Sequence, residues 1–180
     1  MIIGVSGTFG SGKDTVAKII ESKGFEHFST ADILRVETAN LGRSIERESL
    51  RQTGNELRAK FGSGFLAEKA INRASTDNIL VSGIRSRGEI DNVINHKNSY
   101  LIFVDAPVAV RFKRISDRGR NIEDFHTMEK FKKSEVLELK GDVNSQNILY
   151  CRKKADFVLQ NDGTLEDLEK KIDEILVKIK

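Results

Sequence analysis

The residues Gly7-Thr8-Phe9-Gly10-Ser11-Gly12-Lys13-Asp14-Thr15 constrain the fold of this chain more than any other segment. They follow the apolar run Ile2-Ile3-Gly4-Val5 and precede a stretch in which Val16, Ile19 and Ile20 share one helical face. A strand, a glycine-rich turn and a helix in immediate succession turn backbone N–H groups inward, and the helix aims its positive N-terminus at whatever the turn encloses. With Gly-(four residues)-Gly-Lys as the frame and the lysine ammonium reaching the same point, the enclosed group is an anion. A nucleotide phosphate is the expected guest. The alternative, a glycine-rich β-turn with an incidental lysine, explains neither the strand before it nor the helix after it.

One position departs from the usual loop. Asp14 stands where a Ser or Thr ordinarily follows the lysine, and Thr15 comes one place later. A carboxylate beside a polyphosphate is repulsive unless a divalent cation lies between them. Asp14 is therefore read as helping to hold Mg²⁺, directly or through water, with Thr15 beside it on a phosphate oxygen. Its other reading is a helix-start carboxylate favoured by the dipole.

The chain has 180 residues, enough for one domain with its own core. Its net charge of +3 is too small to argue for nucleic-acid binding over the whole surface. No apolar run is long enough to span a bilayer and no cleavable signal precedes the loop, so a cytoplasmic protein is expected. Cys151 is the single cysteine, and His27, His96 and His126 lack zinc-ligand spacing. Any metal would arrive with the nucleotide.

Strand signals at Met1 to Val5, Phe25 to Phe28, Ile79 to Val81, Tyr100 to Val104 and Asp156 to Leu159 alternate with helical patterns. That alternation predicts an α/β fold, a five-stranded parallel sheet covered on both faces in three layers. The last helix is expected to start after Asn161-Asp162-Gly163, with Thr164 as its N-cap. Residues 31–75 hold three helical patterns and no strand, too much chain for a simple crossover, and are read as a helical insertion. The core is then 1–30, 76–117 and 141–180. Between Arg111 and Lys140 the chain is polar and arginine-rich near its start, then helical through Phe125, Met128 and Phe131, and is read as a cover over the phosphate loop.

In a parallel sheet, Ser29-Thr30-Ala31-Asp32-Ile33-Leu34-Arg35 leaves the second strand at the carboxyl edge, beside the loop. Ser82-Gly83-Ile84-Arg85 leaves the third there too, so Arg35 and Arg85 are expected to converge on a second anion. Arg111, Arg114 and Arg118 recur at helical spacing after the fourth strand, with Arg120 beyond them. Such a cluster either meets a polyanion or pairs with Asp117, Glu123 and Asp124 as a basic surface helix. Leu101-Ile102-Phe103-Val104-Asp105 has the form of a Mg²⁺-binding strand. Asp105 leads into Ala106-Pro107, however, and is read as capping the next helix. The third strand offers Ser82 and no carboxylate, which places more weight on Asp14.

On these motifs the chain resembles the nucleoside monophosphate kinase group of P-loop phosphotransferases, including adenylate kinase and dephospho-CoA kinase, over most of its length. Ser29 to Arg35 resembles the acceptor-binding Ser-Thr-Gly-Asp-Met-Leu-Arg, implying acceptor contacts for Thr30 and Arg35, and Asp32 is expected to help them place the acceptor. Gly83-Ile84-Arg85 resembles the Gly-Phe-Pro-Arg element whose arginine holds the acceptor phosphate. Arg114 and Arg118 match lid arginines, and Asn161 to Thr164 resembles the turn against the donor base, implying a base-side role for Asn161 and Gly163. By the same resemblance, 31–75 is the acceptor-binding subdomain and 118–130 a short lid. The departures are Asp14, the lost Asp and Pro at Ser82-Gly83-Ile84-Arg85, and a lid without Arg-x-Asp-Asp.

The expected function is transfer of the ATP γ-phosphoryl group, with Mg²⁺, to a small phosphorylated acceptor such as a (deoxy)nucleoside monophosphate. Gly7, Phe9, Gly10, Ser11, Gly12, Lys13, Asp14 and Thr15 would hold the donor, with Arg114, Arg118 and Arg120 closing over the transferring group. A dephospho-CoA kinase is the alternative, its acceptor a hydroxyl and Asp32 its base. A nucleotide-dependent switch or partner ATPase is a further one, although Asn-Lys-x-Asp, Asp-x-x-Gly and a clear Walker B pair are absent.

Overall fold

The computed structural model describes residues 1–117, 127–141 and 145–179. Its elements run β1 (Ile2–Gly7), α1 (Lys13–Ser22), β2 (Glu26–Ser29), α2 (Thr30–Asn40), α3 (Arg47–Phe61), α4 (Phe65–Ile71), β3 (Ile79–Ile84), α5 (Arg87–Ile94), β4 (Ser99–Asp105), α6 (Val108–Asp117), α7 (Met128–Leu139), α8 (Ile148–Lys154), β5 (Phe157–Gln160) and α9 (Leu165–Ile179). The five strands form one sheet in the order β2-β3-β1-β4-β5, with every pairing parallel. The expected α/β architecture is the one observed.

β1 lies in the middle of the sheet and is buried throughout, which is why it reads as a continuous apolar run instead of an alternating one. Successive residues of β1 serve opposite layers. Ile3 and Val5 pack with Val16 and Ile20 of α1 and Leu168 and Ile172 of α9. Ile2 packs with Leu66 and Ala67 of α4, Ile90 and Val93 of α5, and Ile148 and Cys151 of α8. At its carboxyl end Gly7 pairs with Val104 of β4, and Val5 with Ser82 of β3. The loop after β1 therefore emerges at the sheet edge where β3 and β4 also end.

Two helix starts are locked by reciprocal caps. Ser86 accepts from the Glu89 amide while the Glu89 side chain accepts from the Ser86 amide, a capping box that opens α5. At α9 the expected Thr164 cap is found, with Asp167 bonded back to Thr164. Three helices, α2 to α4, occupy the chain between β2 and β3. A smaller core of Ile115 and Phe131, with Phe9, Phe112 and Met128 against it, joins α6 and α7 to the phosphate loop. Phe131 stacks on Phe9 with ring centroids 5.8 Å apart. Phe125 and most of the expected lid at 118–130 lie outside the described residues.

Candidate active site

The loop between β1 and α1 is held from outside by side chains of three other elements. Gly12 precedes α1 in the left-handed region, φ +91°, and no side chain caps the helix. Any Cβ at Gly12 would land on the Asn161 amide nitrogen, so both backbone sign and space require glycine. Asn161 Nδ2 donates to the Ser11 carbonyl at 2.8 Å, and Arg114 Nη1 donates to the same carbonyl at 3.3 Å and to Asn161 O at 3.0 Å. Thr8 Oγ1 donates to Asp105 Oδ1 at 2.9 Å. Arg111 Nη1 donates to the Phe9 carbonyl at 3.1 Å and Nε to the Ala106 carbonyl at 2.8 Å, while its guanidinium pairs with Glu135 of α7.

Inside this brace, Ser11 Oγ is fully buried and has no hydrogen-bond partner among the described residues. A buried hydroxyl without a partner costs about 1–3 kcal/mol. Set at the head of an uncapped helix beside Lys13, it is complementary to an anionic oxygen, so the residues present fit a nucleotide phosphate. An adjoining cavity of about 270 Å³ is lined by Gly12, Thr15, Arg114, Asn161, Gly163, Thr164, Leu165 and Leu168. Gly163 and Arg114 thus lie beside the loop as expected. Lys13 and Thr15 are half-buried at the start of α1, and Asp14 is exposed there. Among the described residues, no group of three or more His, Cys, Asp or Glu side chains could by itself hold a metal.

The geometry revises several expectations. The Asn161 amide is engaged by the Ser11 carbonyl, so it braces the loop. Arg111 does not belong to a free cationic cluster: it is buried, tied to two carbonyls and neutralised by Glu135. Asp105 does not cap α6 through its first-turn amides; it takes the Thr8 hydroxyl, the Ala106 amide and Arg152 Nη1 at 3.2 Å. Ser82 lies within β3, which continues to Ile84, and its hydroxyl meets His27 Nε2 at 2.7 Å. Arg118 and Arg120 lie outside the described residues.

On the other side of the edge, Ser29 caps α2 by accepting from the Asp32 amide. Thr30 is buried and donates to the Gly83 carbonyl at 2.8 Å, so its hydroxyl joins α2 to β3. Asp32 and Arg35 are ion-paired to each other on the exposed first turns of α2, 72% and 51% exposed. Arg85 Nη1 lies 3.4 Å from Glu138 Oε2 of α7 and 3.3 Å from Gln146 Oε1.

Sequence reasoning missed the carboxylates that organise these arginines. Glu89 is wholly buried; Oε1 takes Nε and Nη2 of Arg58 from α3, and Oε2 takes the Arg85 and Ser86 amides. The Ser-x-x-Glu spacing of Ser86 and Glu89 was a legible cue. Glu135 and Glu138 carried none, because they read as an ordinary exposed helix face.

A family profile described as an AAA domain matches residues 6–132, which covers the loop, the helical insertion and the start of α7. A UPF0200 protein of Sulfurisphaera tokodaii is 30% identical over 179 residues, covering 99% of this chain and 97% of that one. A second UPF0200 protein, from Thermococcus gammatolerans, is 29% identical over 187 residues, covering 99% and 95%. Among solved structures, a Thermus thermophilus protein superposes with a TM-score of 0.64 at 22% identity, covering 100% of this chain and 98% of that one. A shikimate kinase from Acinetobacter baumannii, in complex with shikimate, gives 0.63 at 16%, covering 99% and 94%. The shared fold is that of the P-loop kinases.

Proposed function

Because this chain belongs to the AAA-domain family and to the UPF0200 proteins, and has a P-loop kinase fold, we propose that it is an ATP-dependent phosphotransferase acting on a small-molecule acceptor. The observation that carries the reading is the buried, unpartnered Ser11 hydroxyl at the open head of α1, inside a loop whose outer face is already braced. Phosphoryl transfer asks a protein for positioning and charge more than for covalent chemistry. Lys13 would neutralise charge at the β/γ end of the donor, and Arg114 is within reach of the same loop. Asp14 and Thr15 are the residues that would hold Mg²⁺ on the nucleotide, where it supplies further neutralisation of the phosphate oxygens.

For the acceptor, a (deoxy)nucleoside monophosphate is the first reading, with Arg35 and Arg85 on its phosphate and Asp32 beside them. An acceptor phosphate oxygen forms the new bond to the γ-phosphorus while the bond to the β–γ bridging oxygen breaks, releasing ADP. The second reading is a hydroxyl acceptor such as dephospho-CoA. It is favoured by the exposure of the Asp32 carboxylate on the first turn of α2, where it could accept the hydroxyl proton as that oxygen attacks. ADP release measured across nucleoside monophosphates and dephospho-CoA, with Lys13→Ala as control, tests both. Stimulation by no acceptor would sink the kinase reading, and hydrolysis stimulated instead by a protein or nucleic acid would favour a partner ATPase. Full activity of Asp32→Asn would remove the base assigned to the hydroxyl reading.

A further inference from the structure

Helix α7 carries two carboxylates three residues apart, and each holds an arginine from a different half of the site. Glu135 takes Arg111, which braces the donor loop at Phe9. Glu138 takes Arg85, at the carboxyl edge of β3. The two pairs differ in kind. Arg111 is buried and engages both oxygens of Glu135. Arg85 offers one nitrogen to Glu138 at 3.4 Å, near the limit of a hydrogen bond, and the same nitrogen to Gln146 at 3.3 Å. Its side chain is 26% exposed. Its backbone is not loose, because Glu89 fixes the Arg85 amide at 2.8 Å and the Arg85 carbonyl accepts from the Asn147 amide at 2.7 Å. A rigid backbone thus presents a side chain that is only weakly held.

We propose that Glu138 is a specificity-determining residue that occupies the anion seat of Arg85 until an acceptor phosphate displaces it. This rests on the reading of Arg85 as an acceptor-phosphate residue. A phosphate monoester carries up to two charges and three acceptor oxygens, and so competes well for a guanidinium against one carboxylate oxygen at long range. A singly charged carboxylate gains little by replacing another carboxylate. Glu138 therefore raises the threshold for occupying the seat, and phosphate clears it where weaker anions do not. The neutral Gln146 stays as a second acceptor and keeps Arg85 aimed at the edge after the exchange.

The test uses the full chain saturated with ADP, so that the donor loop is filled, and titrates inorganic phosphate and then acetate by calorimetry. Glu138→Gln, which keeps shape and removes charge, is expected to bind phosphate roughly threefold to fivefold more tightly than wild type, the scale of a partly exposed ion pair. It should also gain measurable acetate binding. Arg85→Gln is expected to lose the phosphate site. Unchanged or weaker phosphate binding in Glu138→Gln, or full binding in Arg85→Gln, overturns the proposal. Glu138→Ala gives the same readout should the glutamine itself bond to Arg85. If the titrations follow the expected pattern while no acceptor drives ADP release, the kinase reading falls and the gate at Arg85 stands.

Discussion

The proposed donor and acceptor sides of this site are built differently. Around the loop, the Ser11, Phe9 and Ala106 carbonyls receive Asn161, Arg114 and Arg111, the last also locked by both oxygens of Glu135 behind the loop, and the loop is shaped before any ligand arrives. Across the sheet edge, the arginines proposed to bind the acceptor are held by carboxylates: Arg35 by Asp32 and Arg85 by Glu138. A carbonyl bond fixes a side chain without competing for an anion. A carboxylate bond must be broken by one. On the proposed reading, the donor half is ready at rest and the acceptor half forms its site by exchange.

The contrast breaks if the acceptor side proves equally rigid, and a rigid element there is the Arg58–Glu89 pair, 5% and 0% exposed. Arg58→Met leaves a buried carboxylate with no cation and is expected to cost about 3–5 kcal/mol in urea unfolding. Arg58→Met with Glu89→Gln should recover part of that loss, since the neutral amide removes the uncompensated charge while its oxygen still accepts from the Arg85 and Ser86 amides. If the single variant is as stable as wild type, the anchor between α3 and the Arg85 turn does not bear on stability. Next in size is Lys13→Ala, expected to lower turnover by about 10²–10³-fold with little change in Tm, as for removal of one charge-stabilising donor.

Asn161→Ala sharpens the donor side. It takes one of two donors from the Ser11 carbonyl and is expected to cost about 1–2 kcal/mol while raising the KM for ATP and leaving that for the acceptor unchanged. A rise in both would mean that Asn161 does more than brace the loop.

The sheet and its strand positions were legible because buried parallel strands and the amphipathic helices between them write their periods directly into sequence. The loop was legible because glycine spacing, a lysine and a following helix admit few other structures. The roles of the surrounding polar residues were not. Arg111 and Arg114 share a helical face in sequence, yet one is neutralised by Glu135 from a helix 24 residues away and the other bonds two carbonyls. Thr30 and Asn161 were read as facing ligand, whereas tertiary packing turned them onto Gly83 and Ser11. Periodicity reports which face a residue is on; it does not report which partner completes its hydrogen bonds.

Beneath the loop, on the α8 side of β1, burial pushes the Cys151 thiol up from its ordinary 9.0 to about 12. The unfolded chain therefore loses this proton first. Stability from this group is full below pH 9 and is lost as pH rises from 9 towards 12. At pH 10 the loss is expected to be about 1 kcal/mol. Cys151→Ala should flatten that part of the stability curve, and equal slopes in the two proteins would exclude the thiol as its source.

The smallest effect on stability is expected at Arg35. Its pair with Asp32 is exposed on a helix surface, and such pairs contribute a few tenths of a kcal/mol. Arg35→Gln should therefore unfold within about 0.5 kcal/mol of wild type, while raising the acceptor KM several-fold and sparing that for ATP. Asp32→Asn separates the two acceptor readings at the same place. Removing the partner charge frees Arg35, so a phosphate acceptor should bind more tightly and turn over normally. A hydroxyl acceptor should bind and fail to react, because the group that takes its proton is gone. Loss of stability in Arg35→Gln comparable to that in Asn161→Ala would erase the distinction between an acceptor side held by exchangeable pairs and a donor side fixed in advance.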